Sequence, residues 1–340
     1  MFRHFKNSGE AGRPFSSLFV LFPLICLLAF LVASTCSNKQ QVNRITIAQF
    51  GDFFLYAPLY IAIDAGYFRK EGLEVSLIST GGDEKTWAAV VSGNASFGIA
   101  DPTFVAISAQ RGQPGKVVAT LVNRVPFWGV TFKSNIPEIT EPKQLNDFVV
   151  ATFPAPSTAY TLQKQMFVEA GLKPNIRQGS FGTLFAMLEA DEADIALELE
   201  PNVSQAVSRG AKVVYSLNSI YGEFAITGLT TIPSIIERRP ELVQKVVRAL
   251  ANALIFIRNQ PEESVQILVK RFPEVKPAIG KAALDRSVAD GVLPEQVYTT
   301  RKAWDRAVAL RVSAGDLKEP KEFAFYVDNS FATQVLDQNK

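Results

Sequence analysis

From residue 44 onward the chain alternates between two hydrophobic periods. Positions 44–50 (RITIAQF) open with polar and apolar residues in alternation, the spacing of a strand with one buried face. Positions 57–65 (APLYIAIDA) are apolar nearly all round, which predicts a buried helix. Pro58 sits in its first turn, where a missing N–H costs nothing, and Gly66 supplies the stop. Gly72 then turns the chain into 73–80 (LEVSLIST), rich in strand formers. Strand, crossover helix and strand make a βαβ unit, whose two strands must run parallel. The pattern repeats with helix at 84–92, strand at 96–100, helix at 101–110, and strands at 117–123 and 128–133.

A polar break with two prolines follows at 134–147 (SNIPEITEPKQLND). After it a second series begins: strand 148–153, helix 157–170, helix 185–190, strand 195–199, helix 203–209, strand 213–217 and strand 224–229. From Pro233 the chain becomes mostly helical, with a strong amphipathic period over 242–257. The expectation is an α/β protein of two lobes, the first at 44–133 plus 224–340 and the second at 134–223. Two crossings between lobes imply a hinge and an interlobe cleft.

The first residues read differently. Arg3, Lys6 and Arg13 precede an apolar run at 18–33 (LFVLFPLICLLAFLVA), and small residues follow. A basic start, a short apolar core and small residues form an export signal over 1–35; the run is short for a membrane span and holds Pro23. The 340 residues carry 35 basic and 33 acidic groups, and removing three basic groups and one acidic group leaves the remainder neutral. Neutrality argues against a nucleic-acid partner. Only Cys26 and Cys36 are present, so no disulfide can form within the mature chain. Cys36, right at the processing point, resembles the lipidated cysteine of bacterial lipoproteins, with Thr35 where that motif carries Gly, Ala or Ser. An ordinary cleavage site beside a bystander cysteine is the alternative. Either way the expected location is the periplasm or the outer face of the cytoplasmic membrane.

Much chemistry is excluded. The single histidine, His4, lies inside the export signal, so no Ser-His-Asp or Cys-His constellation and no zinc site can be built. Phosphate-cradling glycine motifs are absent, and no cofactor or metal is expected. One carboxylate pair survives: Glu198 and Glu200 (ALELEP) alternate along a strand and could face one side, as a glycoside hydrolase requires. The plainer reading is a strand end with one carboxylate hydrogen-bonded in a cleft.

In open parallel sheets ligands bind beyond the carboxyl ends of the strands. The loops meeting that condition are 51–57, 80–83, 101–103, 154–160 and 198–202. They bring forward Asp52, Phe53, Phe54, Tyr56, Gly82, Asp101, Ser157, Thr158, Tyr160, Glu198 and Glu200. Arg124, at another strand exit, could clamp an anion or form a surface ion pair. Ser157 or Thr158 would cap the next helix, either as an oxyanion seat or as an ordinary cap. Tyr60, Tyr67 and Phe68 belong to or follow the buried helix and are expected to pack the first lobe.

The segment 56–77 (YAPLYIAIDAGYFRKEGLEVSL) resembles the opening signature of periplasmic substrate-binding proteins of ABC transporters, in the branch serving nitrate, sulfonate, taurine and thiamine-pyrimidine precursors. Further similarities fall in order: Gly81-Gly82, 91–101 (VSGNASFGIAD), 169–172 (EAGL), 194–201 (DIALELEP) and the late helix at 232–260. The resemblance spans about 44–272 and implies a type II periplasmic binding fold, with ligand contacts in the loops named above. It implies a monomeric receptor that closes on a small molecule and hands it to a membrane permease. The superfamily also holds thiamine-pyrimidine synthases, which depend on histidine and a cysteine-rich motif that this mature chain lacks, so an enzyme is not expected. Acidic candidates outnumber the one basic candidate, which favours an aminopyrimidine-like or other small aromatic or heterocyclic ligand. A small oxyanion such as sulfonate, taurine or nitrate is the alternative, and a hydrolase using Glu198/Glu200 a second one.

Overall fold

Alternation at Ile45, Ile47 and Gln49 buries one face of the first strand and seeds a sheet. The computed structural model describes residues 43–155 and 157–338; the export signal and Cys36 lie outside them. Ten strands are described: β1 (Asn43–Gln49), β2 (Leu73–Ser79), β3 (Phe97–Ala100), β4 (Lys116–Arg124), β5 (Trp128–Thr131), β6 (Val150–Thr152), β7 (Ile176–Gln178), β8 (Ile195–Glu198), β9 (Lys212–Ser216) and β10 (Glu223–Thr231). They form two five-stranded sheets, ordered β2-β1-β3-β10-β4 and β7-β6-β8-β5-β9.

The first sheet holds the parallel trio β2-β1-β3, as its helical crossovers require. The second is built alike, with β6 parallel to β7 and β8. The strands carrying the chain between lobes run against their neighbours: β5 is antiparallel to β8 and β9, and β10 to β3 and β4. This moves one expected boundary. Trp128–Thr131, read from sequence as the last strand of the first lobe, pairs in the second sheet, so the first crossing falls between Arg124 and Trp128. Gly129 in β5 lies so close to the Tyr215 ring that a Cβ there would come within 2.1 Å of it, which excludes any side chain.

Helices cover both sheets. Ala57–Asp64 is buried almost throughout and ends at Gly66, whose φ of +80° suits glycine. Against it packs the long helix Pro240–Asn259, whose Leu242, Val243, Val246, Val247, Leu250, Leu254 and Ile257 follow the helical repeat and are shut from water. Each such side chain stabilises the lobe by about 1.5–3 kcal/mol relative to exposure.

The C-terminal segment touches both lobes. Val292 and Val297 accept backbone hydrogen bonds from Asn123 and Thr120 of β4, at 3.0 and 2.7 Å. From the same stretch, Asp290 accepts from Trp128 Nε1 at 2.8 Å, and Arg286 pairs with Glu200 at 2.7 Å. No helix among the described residues is long and apolar enough to cross a membrane.

Candidate functional site

The carboxyl end of β1 is braced before it reaches any ligand. Gln49, fully buried, donates to Asp52 Oδ1 at 2.8 Å and to Ser79 Oγ at 3.1 Å, and accepts from the Tyr60 hydroxyl at 3.1 Å. This network fixes the loop that follows, leaving Asp52 exposed and Phe53 half-buried. Phe54 and Tyr56, expected on the cleft wall with them, take other places. They lie in a 3-10 turn, Phe54–Tyr56, which points the Phe54 ring into the core against Phe272, at 5.7 Å between centroids. Tyr56 is buried beneath the Phe53 ring; burial, then the charge of Asp83, pushes its hydroxyl pKa well up.

Beyond β3, Asp101 collects hydrogen bonds. Its Oδ1 accepts from Thr103 N at 2.8 Å and Thr103 Oγ1 at 2.6 Å. Its Oδ2 accepts from Arg311 Nη2 at 2.6 Å and from Thr158 Oγ1 at 3.2 Å. Thr158 belongs to the second lobe, so this carboxylate joins the lobes. Asp83, first residue of the helix Asp83–Val91, accepts the Asp101 backbone N–H at 2.9 Å. Burial, reinforced by the neighbouring Asp101 charge, raises the Asp83 carboxyl to about 7. The Gly82 carbonyl is taken by the Thr80 and Thr86 hydroxyls, at 3.0 and 2.9 Å, so this glycine shapes the turn.

On the second lobe, Ser157 caps the helix Thr158–Glu169 by accepting from Tyr160 N at 3.2 Å. That is the ordinary cap, and Tyr160 itself is half-buried. Aromatic rings then run from lobe to lobe. Phe50 meets Phe53 at 5.2 Å, Phe53 meets Phe181 edge-on at 5.3 Å, Phe181 stacks on Phe153 at 5.9 Å, and Phe153 meets Phe127 at 6.2 Å. Phe181 remains half exposed.

The two glutamates part company. β8 ends at Glu198, which is fully buried; its Oε2 accepts from Leu199 N and Asn202 Nδ2, both at 3.2 Å, while its Oε1 has no partner. Burial raises this carboxyl to about 7. Glu200 lies past the strand end and accepts from Ser204 N at 3.0 Å, Ser204 Oγ at 2.8 Å and Arg286 Nε at 2.7 Å. It ties the helix Asn202–Ser208 to the C-terminal segment, so both of its oxygens are engaged by Ser204 and Arg286. Arg124, expected at a ligand, instead lies at the lobe crossing, opposite Glu223 in the ladder and reaching Asn218 Oδ1 at 3.5 Å.

The structure thus joins Asp101 and Thr158 directly, sets Asp83 and the buried Tyr56 near the first of them, brings Phe53 against Phe181, and leaves Phe54, Arg124 and Glu200 elsewhere. Arg311 and Phe181 complete the junction although no motif singles them out. Arg311 also lines a groove of about 760 Å3 on the first lobe, together with Trp87, Phe104, Arg111 and Asp316. Arg311 thus stands between that groove and the Asp101 carboxylate past the end of β3.

Known proteins agree with this architecture. The riboflavin-binding protein RibY of Chloroflexus aurantiacus is 26% identical over 88% of this chain and 89% of its own length. The alkanesulfonate-binding protein SsuA of Xanthomonas axonopodis pv. citri, solved with MOPS, superposes with a TM-score of 0.66 at 15% identity, covering 84% of this chain and 98% of its own. The desulfurization enzyme DSZB superposes at 0.64 with 15% identity, covering 87% and 100%. The two superpositions establish the two-lobed periplasmic-binding-protein fold, which carries binding and enzymatic proteins alike. The sequence signature described as NMT1/THI5 like matches residues 54–264, well over half of the chain, and the protein belongs to the NMT1/THI5-like family.

Proposed function

We propose that the protein is a solute-binding receptor of an ABC import system, holding a flat nitrogen heterocycle between its lobes and delivering it unmodified to a permease. The observation that carries this reading is the meeting of Phe53 and Phe181 across the lobes; on the first lobe the Tyr56 ring beside Phe53 feels the charge of Asp83, a carboxyl of raised pKa. Aromatic faces accept planar rings of any substitution. A carboxyl near its titration point can donate to a ring nitrogen when protonated or accept from a ring N–H when ionised. The name of the Chloroflexus relative points to the same class, since riboflavin is such a heterocycle.

A small oxyanion fits less well. The buried cation nearest the junction, Arg311, is already engaged by Asp101 and Asp316. An anion 4 Å from a carboxylate would be repelled by about 4 kcal/mol at an effective dielectric of 20. A carboxylate-pair hydrolase is disfavoured because Glu200 is committed to Arg286 and Ser204. The same reading makes the receptor a monomer at the outer face of the cytoplasmic membrane or in the periplasm. Mass analysis of the mature N-terminus distinguishes a lipidated Cys36 from conventional cleavage.

The test is a thermal-shift screen with riboflavin, an aminopyrimidine, an alkanesulfonate and nitrate, followed by mass analysis of the recovered ligand. A shift with either heterocycle and intact ligand is expected. A shift confined to the anions, or a converted ligand, would overturn the reading.

A further inference from the structure

Arg311 stands on the helix Arg301–Ser313 of the C-terminal segment, far in sequence from every strand-end loop. It is only 3% exposed, yet every part of its guanidinium is used. Nε donates to Thr103 Oγ1 at 3.1 Å, Nη1 to Asp316 Oδ2 at 3.2 Å, and Nη2 to Asp101 Oδ2 at 2.6 Å. The same Nη2 lies 3.4 Å from Thr158 Oγ1, whose hydroxyl donates to Asp101 Oδ2 at 3.2 Å. One threonine of the second lobe is therefore seated on a buried ion pair of the first.

We propose that Arg311, Asp101 and Thr158 form an interlobe latch, in which Arg311 is a positioning residue that aims the Asp101 carboxylate at the second lobe. The pairing explains why a buried carboxylate is kept at the junction. Asp101 Oδ1 is occupied within its own loop, so only Oδ2 is free to reach outward, and Arg311 fixes where Oδ2 points. Thr158 opens the helix Thr158–Glu169, so the latch acts on a rigid element and carries the second lobe as a body. A hydroxyl-to-carboxylate hydrogen bond is stronger than a neutral one but not permanent, which suits a contact that must form and release with each transport cycle. The inference rests on the receptor reading for its purpose and not for its geometry.

The latch is tested in ligand-free protein. Small-angle scattering and amide hydrogen exchange of the 101–103 and 157–161 segments would be compared for the wild type, Thr158→Val and Thr158→Ser. Thr158 is only partly buried, and its replacement leaves both lobe cores intact. Thr158→Val is expected to raise exchange at both segments about threefold to tenfold and to shift scattering toward a more open form, with Thr158→Ser restoring wild-type behaviour. Arg311→Lys, which keeps the charge and loses the fork, is expected to loosen the same two segments. Unchanged scattering and exchange in Thr158→Val would overturn the latch. Heterocycle binding by the same variants is a separate arm: a wild type that binds neither riboflavin nor the aminopyrimidine contradicts the heterocycle reading and leaves the latch result standing.

Discussion

The Phe181 ring meets the Phe53 ring edge-on, with centroids 5.3 Å apart and planes at 81°. The first ring comes from a glycine-flanked loop of the second lobe and the second from the loop after β1, so a contact between two single residues bridges the lobes. Phe181 keeps half its surface in water and adds little to the folded core. Its substitution therefore separates binding from stability. Phe181→Ala is expected to weaken heterocycle binding about tenfold while leaving the thermal midpoint unchanged, as calorimetric titration and thermal unfolding would measure. Phe54→Ala should do the opposite, because that ring packs against Phe272 inside the lobe.

The buried pair Arg311–Asp101 and the exposed pair Arg44–Glu74 differ in surroundings and not in type. The first is almost wholly shut from water, whereas the side chains of the second are 84% and 56% exposed. Removing one partner of a buried pair strands a charge and costs about 3–5 kcal/mol. Arg311→Met is thus expected to lower the urea midpoint strongly, and Arg44→Met to leave it where it was.

How far these residues could be read from sequence follows from where their signals lie. The βαβ units, the buried helix after Pro58 and the long helix Pro240–Asn259 are written in local periodicity, and the structure contains each of them. The sheet that receives β5 depends on which partners it meets after the chain has crossed, and no local pattern records that. Phe54 and Phe53 are adjacent and identical in type, so only the 3-10 turn decides which faces the core. Arg311 did leave a trace. Trp304, Ala307, Val308 and Arg311 share one helical stripe, which places a charge where only apolar residues are at home. Phe181, an aromatic residue in a Gly-Ser-Phe-Gly stretch, is a similar trace.

Stability should fall as pH rises from the ordinary carboxylate range to about 7 and level off above it. Asp83 and Glu198 both have folded pKa values raised to about 7 by burial. A carboxyl of raised pKa holds its proton more tightly when folded than unfolded. Its contribution is complete below the ordinary carboxylate range and is lost as pH climbs to about 7, at up to about 1.4 kcal/mol per pH unit per group. Urea unfolding at pH 5, 6, 7 and 8 should therefore show a decline, and Glu198→Gln should make that decline shallower. A wild-type curve as shallow as the variant's would contradict the assignment to Glu198.

Glu200 is held on both oxygens by its neighbours. It accepts from Ser204 N in the first turn of the helix Asn202–Ser208 and pairs with Arg286. Glu200→Gln is expected to lower the thermal midpoint, with heterocycle recovered intact from wild type and variant alike. Turnover that is present in the wild type and lost in Glu200→Gln would favour the hydrolase.

The most direct test is calorimetric titration of the purified protein with riboflavin, an aminopyrimidine, an alkanesulfonate and nitrate. The proposed heterocycle site predicts micromolar or tighter binding of at least one heterocycle, weakened by Phe181→Ala, and no heat from the two anions. Binding of the alkanesulfonate or nitrate alone, indifferent to Phe181→Ala, would contradict the account.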